Sequence, residues 1–284
     1  MERQLRLDLH VHSQASFDGR MTVEEIVAAA RAKGMDGVAI CDHDVVYTGP
    51  TEVDGMLIIP GVEFSTEHGH LLGLFVDRPM VYTTWKETIA AIHQAGGLAV
   101  LAHPFERGER DLEALRPDLD GLEAWNSRAN RKYPKANDKA FLQALLWGLP
   151  YTAGSDAHVR QEVGNGYTTL CVKEANLPAI RAALAAGEGR WHGKESSALH
   201  VAQSQYTKLR KTHAPLWRYG KWAAFVLRCL WQDGNLARVK RADRKRGEAE
   251  IRKWEREKDL LSQEALEKIR RWLDDEEGEQ DSCP

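Results

Sequence analysis

The chain has 284 residues, 39 Lys+Arg against 42 Asp+Glu for a formal net charge of −3, and 43% hydrophobic residues. That length allows one sizeable domain plus an appendage, or one large barrel, and the composition is ordinary for a soluble protein. No apolar run approaches the roughly 20 residues that span a bilayer.

The charged start "MERQ" runs directly into a strand pattern, so no signal peptide is expected, and the scattered cysteines make a reducing cytoplasm the expected location. Cys41, Cys171, Cys229 and Cys283 lie far apart. They show no metal-finger spacing and suggest no disulfide framework.

Charge is uneven along the chain. Residues 1–207 carry 20 basic against 27 acidic residues, a balance of −7; residues 208–284 carry 19 against 15, a balance of +4. The break places a boundary near residue 200, with one domain over 1–198 and a basic, aromatic helical extension over 199–284.

In chain order, strand patterns fall at 5–11, 37–42, 55–64, 70–76, 98–104, 121–126 and 150–156. In the first, "LDLHVHS", Leu7, Leu9 and Val11 share one face and Asp8, His10 and His12 the other. Helical patterns fill the gaps at 22–34, 84–97, 135–150 and 176–188, with Thr22 a capping residue and Gly34, Gly96–Gly97 and Gly148 as stops. The alternation predicts an α/β domain with a mostly parallel sheet or barrel, whose functional loops follow the strands.

The polar strand tips are alike. The first strand ends on His10 and His12, followed by Asp18; the second ends Asp42-His43-Asp44. The third yields Glu63, and the fourth opens at His70, which is favoured over His68 because it abuts the strand. "LAHPF" yields His103, and "GSDAH" yields Asp156 and His158. In a parallel α/β domain these tips meet at one mouth. Imidazoles mixed with carboxylates and lacking thiolates suit zinc, iron or manganese in a hydrolytic site rather than a structural zinc knot. Glu63 is the natural candidate to bridge two cations. His93, inside a helix, reads as structural, and His192, His200 and His213 as surface residues.

Together the stretches "DLHVHSQASFDG", "AICDHD", "GVEFST", "GHLLGLF", "LAHP" and "GSDAH" resemble the polymerase and histidinol phosphatase (PHP) superfamily over about residues 5–175. The resemblance implies a distorted (β/α)7 barrel with three divalent transition metals (Mn, Zn or Fe) at its C-terminal mouth. It implies His10, His12, Glu63 and Asp156 around one metal. Glu63 would bridge to a second, completed by His70 and His103, and Asp18, His43 and His158 would hold the third.

Family members commonly cleave phosphate esters, which implies attack on phosphorus by a metal-bridging hydroxide, with His10, Glu63 and Asp156 catalytic. The expected substrate is a small phosphate ester, a nucleotide or a sugar or amino-alcohol phosphate. Arg128 and Arg160 are candidate phosphate ligands, and Asp44 a candidate to orient a ligand or shuttle a proton. The alternatives are an exo- or oligonuclease and a hydrolase of non-phosphate esters or carbamates.

For the extension, three roles compete: packing or dimerisation, nucleic-acid binding through residues 208–246, and a membrane-surface helix at "PLWRYGKWAAFVLRCLW". Residues 208–246 hold 12 Lys+Arg against 2 Asp+Glu. Apolar spacing from Ile251 to Trp272 predicts a further long helix, and "DDEEGEQDSCP" a disordered tail.

Overall fold

The computed structural model describes residues 2–81, 84–108, 110–131 and 133–231. The expectations for the helix at 251–272, the acidic tail and the part of the basic segment beyond residue 231 lie outside the described residues.

The staves of the barrel are β1 (Arg3–Val11), β2 (Gly37–Ile40), β4 (Met56–Thr66), β5 (Gly69–Leu74), β6 (Leu98–Leu101), β7 (Gly121–Asn126) and β8 (Tyr151–Gly154). They are hydrogen-bonded in that order. β8 returns to the first stave, where the N–H of His12 donates to Ala157 O at 2.9 Å and that of Asp156 to His10 O at 2.8 Å. The result is a mixed α/β fold with a nearly closed, barrel-shaped sheet. The two-residue β3 (Glu52–Val53) pairs with β4, and β9 (Gly166–Val172) and β10 (Arg190–Gly193) extend the sheet beyond β1.

One stave departs from the mostly parallel expectation. β5 pairs antiparallel with both β4 and β6. β4 and β5 form a hairpin around Glu67 and His68, with Thr66 opposite Gly69. The end of β4 and the start of β5 therefore lie at the same end of the barrel, which is why a ligand-type residue opens this strand instead of closing it.

The helices α1 (Val23–Ala32), α2 (Trp85–Gln94), α3 (Ala136–Trp147) and α4 (Leu177–Ala185) occupy the predicted gaps. Thr22–Glu25 and Thr84–Glu87 form capping boxes that satisfy orphan N–H groups at the starts of α1 and α2. Gly148 ends α3 in the left-handed conformation at φ 64°. Asn176 caps α4.

In β1 the simple alternation breaks. Leu5, Leu7 and Leu9 join a core shared with β2, β4, β5, β6, β9 and α4, whereas Val11 joins a separate cluster with Ile26, Val27 and Ala30 of α1. The register of β1 on β2 shifts between Asp8 and Val11. Such irregularities re-aim side chains beside functional sites, and this one sits at His10.

α5 (Ala198–Lys211), capped by Ser197, follows the barrel, and residues 216–231 form a further helix, α6. Lys211 ties α5 to the loop after β1 by donating to Gln14 O, Ser16 O and Gly19 O at 2.7, 2.8 and 2.9 Å. Ser197–Lys211 thus packs on the barrel mouth. Cys41, just past β2, is a buried free thiol.

Candidate metal centre

The nine candidate metal ligands from the strand tips converge at one end of the barrel. Glu63, in β4, lies at the centre. Its Oε1 is 2.7 Å from His70 Nδ1 and 3.0 Å from His103 Nε2. Its Oε2 is 2.9 Å from His43 Nδ1, 3.3 Å from His12 Nε2 and 3.5 Å from His10 Nε2. Asp156 Oδ1 stands 3.2 Å from His12 Nε2 and 3.5 Å from His158 Nδ1. Asp18 Oδ1 stands 3.2 Å from His158 Nε2 and 3.7 Å from His43 Nε2.

The loops that carry these groups are bent to do so. Asp44, His103 and Asp156, each just past a strand end, have left-handed backbones with φ of 56°, 27° and 53°. Non-glycine residues hold that conformation at a cost, and such residues gather at functional sites.

Partners behind the ligand-type atoms fix their orientation. His10 Nδ1 lies 2.9 Å from Glu123 Oε1, and His12 Nδ1 lies 3.0 Å from Ser16 Oγ. A proton on His10 Nδ1, donated to Glu123, leaves the Nε2 lone pair facing the centre. Asp42 holds the loop after β1 by accepting from Ser13 N at 2.7 Å, Ser13 Oγ at 2.6 Å and Ser16 N at 3.2 Å. Asp8 accepts from Ser155 N at 2.9 Å and Gly164 N at 2.7 Å, pinning β1 to the segment after β8; burial pushes its carboxyl up to about 6.

The electrostatics are those of a dense, dry mixture of acids and bases. Burial alone would raise the carboxyls of Glu63 and Asp156. The imidazoles facing them, His43 and His70 for Glu63 and His10 for Asp156, hold both well below the usual carboxylate range. Burial, with His158 and His43 adjacent, drives His12 down to about 3, so its imidazole is neutral. His103 goes the other way: burial would lower it, but its hydrogen bond to Glu63 carries it up to about 9.

Four buried atoms in the cluster, Asp18 Oδ1, His43 Nδ1, Glu63 Oε2 and His70 Nδ1, have no aligned hydrogen-bond partner: their close approaches of 3.2, 2.9 and 2.7 Å are misdirected for hydrogen bonds. Native interiors seldom leave such groups unsatisfied. Here they converge on one another, with His10–His12–Asp156, His12–His43–His158 and His43–Glu63–His70 each bringing three ligand atoms within 4.8 Å. Nitrogen and carboxylate oxygen donors in such triplets fit divalent cations, so the donor set meets the chemical requirement for metal.

The two arginines are placed differently from expectation. Arg128 is buried, and its fork is occupied: Nε donates to Glu162 Oε1 at 2.9 Å, Nη2 to Glu162 Oε2 at 2.5 Å, and Nη1 to Ser204 Oγ on α5 at 3.2 Å. Its charge contributes to the low carboxyl of Asp156, so it supports the centre from behind. Arg160 is exposed and paired with Glu25 of α1, over a shallow depression lined by α1. Asp44 Oδ1 accepts from Ser65 N at 2.7 Å, bracing β4. Glu123 was missed by sequence reading. Its signal was a lone carboxylate within the apolar strand "GLEAWN", where a buried charge demands partners.

A barrel whose strand ends deliver histidines and carboxylates to one buried cluster is the framework of a metal-dependent hydrolase. The chain belongs to the PHP family: the PHP domain matches residues 8–125 and the PHP-associated domain residues 134–188. An uncharacterised protein of Methanocaldococcus jannaschii is 31% identical over 144 residues, covering 43% of this chain and 82% of that protein.

Among solved structures, a two-domain protein of Bacteroides vulgatus containing a PHP-like metal-dependent phosphoesterase superposes with a TM-score of 0.55 at 19% identity. That match covers 72% of this chain and 70% of the other. The lesion-specific endonuclease Q of Pyrococcus furiosus superposes with a TM-score of 0.51 at 20% identity, covering 66% of this chain and 58% of the other. These two likenesses concern the fold. No helix of the described residues is long and apolar enough to cross a membrane.

Proposed function

We propose that the protein hydrolyses a small phosphate ester, a nucleotide or a sugar or amino-alcohol phosphate, at a centre of three divalent transition metals. His10, His12, Glu63 and Asp156 would hold one cation, Glu63 with His70 and His103 a second, and Asp18, His43 and His158 the third. Manganese, zinc or iron suits these donors. Bound there, such cations acidify a water and neutralise charge developing on phosphoryl oxygens.

The chain's own residues set the geometry for that chemistry. Glu63 presents one oxygen to His43 and the other to His70, as a bridging carboxylate would. Glu123 and Ser16 hold the rings of His10 and His12, and Asn126 Nδ2, 3.4 Å from Asp156 Oδ2, steadies that carboxylate. The single observation that carries the reading is the set of orphaned buried donors and acceptors, Asp18 Oδ1, His43 Nδ1, Glu63 Oε2 and His70 Nδ1, in one cluster.

The test combines metal analysis of protein purified without chelating resin with a panel of phosphate esters in added manganese. More than one transition metal per chain is expected, with p-nitrophenol released from its phosphate and not from its acetate. His10→Ala should abolish turnover and keep the far-UV circular dichroism. A fully active His10→Ala protein, or cleavage of the acetate alone, refutes the proposal.

A further inference from the structure

Beyond the barrel, residues 196–231 contain six Lys/Arg and no Asp or Glu. α5 and α6 fold this segment into a groove of about 440 Å³, lined by Arg131, Lys208, Arg218, Lys221, Trp222 and Phe225 among others. Arg131 comes from the short turn after β7, at the mouth of the barrel; the rest come from the two helices.

All four cations lie over aromatic rings. Arg131 is 5.4 Å from the Phe225 ring centroid, Lys208 is 4.3 Å from Phe17, and Arg218 and Lys221 are 5.7 and 4.8 Å from Trp217. A cation seated on a ring keeps its outer N–H groups available to an anion. Arg131 Nε is buried with no hydrogen-bond partner among the described residues.

The groove adjoins the metal centre through a short stack. Lys208 sits over Phe17, and the Phe17 ring stacks on His43 at 4.7 Å and an interplanar angle of 7°. One wall of the groove thus ends a single ring away from His43, one of the ligand-type histidines.

We infer that this groove binds the part of a single-stranded oligonucleotide that extends away from the scissile phosphodiester. Its phosphates would meet Arg131, Lys208, Arg218 and Lys221, and its bases the exposed Trp217 ring beside them. This rests on the phosphoesterase reading and sharpens it from small esters toward short nucleic-acid strands. Positive charge interleaved with aromatic faces is the chemistry of sequence-tolerant single-strand binding. The concavity and the adjacency to His43 favour a strand over a flat anionic lipid surface.

The test measures binding of a fluorescently labelled short oligothymidylate to the full chain by anisotropy, with chelator present so that binding is read apart from turnover. Lys208→Ala combined with Lys221→Ala, both exposed positions, should weaken binding roughly tenfold at moderate salt. It should also reduce the slope of log affinity against log salt by about 1.4, two contacts at about 0.7 each for a single strand. Lys208→Arg with Lys221→Arg should restore binding.

Equal binding by the unmodified and double-alanine proteins overturns the inference. So does competition by thymidine monophosphate as effective as that by the oligomer, or binding of phosphatidylserine vesicles without binding of the strand. Hydrolysis by the unmodified protein is scored separately. If strand binding follows the lysines but no phosphate ester is cleaved, the groove stands and the catalytic reading falls.

Discussion

Glu123 Oε1 lies 2.9 Å from His10 Nδ1, while its Oε2 accepts the backbone N–H of His103 at 2.8 Å and Asn126 Nδ2 at 3.0 Å. One buried carboxylate of β7 therefore fixes a ring on β1 and the backbone after β6. Glu123→Gln keeps the size but exchanges a charged acceptor for an amide. Loss of such outer partners costs about 10–100-fold in metal affinity. Competition against a chromophoric chelator should show that drop while circular dichroism stays unchanged; undiminished affinity would remove Glu123 from this role.

Gly154 marks where the barrel closes. A Cβ there would stand 2.3 Å from His10 Cβ, 2.8 Å from His10 N and 3.0 Å from Glu123 Oε1. Backbone and a strand-borne ring cannot both yield. Gly154→Ala should destabilise the fold by about 1–3 kcal/mol through overpacking and lower metal content per chain, read by urea unfolding and elemental analysis. A variant with normal stability and full metal content would contradict the close approach.

The Arg128–Glu162 pair separates two roles that the sequence could not. If Arg128 were a substrate ligand, Arg128→Ala would raise KM and leave stability alone. Paired as it is, with Glu162 Oε2 also accepting His158 N at 3.0 Å, truncation strands a buried carboxylate. The expected loss is about 3–5 kcal/mol in chemical denaturation. A stable Arg128→Ala protein with only a raised KM would restore the substrate role.

Metal loading should release protons at pH 7. His103 holds its proton up to about 9 without metal; His10 and His43 are also raised, because the carboxylates facing them outweigh burial. His12, already neutral, contributes none. Ligation requires the neutral ring, so each protonated imidazole that binds must give up a proton. Titration calorimetry in buffers of different ionisation enthalpy should give heats that vary with the buffer. Heats independent of buffer would mean the metal-free imidazoles are neutral.

Much of the site was legible because ligand-type residues at strand ends repeat a pattern that no packing requirement demands. His10, His12, Glu63, His103 and Asp156 stood out for that reason. Three features were not legible. The reversed β5 is set by a hairpin whose turn, Glu67-His68, carries no strong turn residue before Gly69. The pairing of Arg128 with Glu162 spans 34 positions, so closeness to a strand tip misled. α5 went unassigned as a separate helix because its cap, Ser197, follows directly on "KES" within a polar run, although its first turns bury Ala198, Val201 and Ala202.

The join between Asp156 and His10, made by a 2.8 Å backbone hydrogen bond across 145 intervening positions, has a consequence for biosynthesis. During synthesis the first two imidazoles emerge long before the carboxylate that completes their set. A nascent chain therefore offers cations only fragments of a binding site, and full-strength capture begins when the last stave docks. Metallation becomes a late event that reports on completed folding.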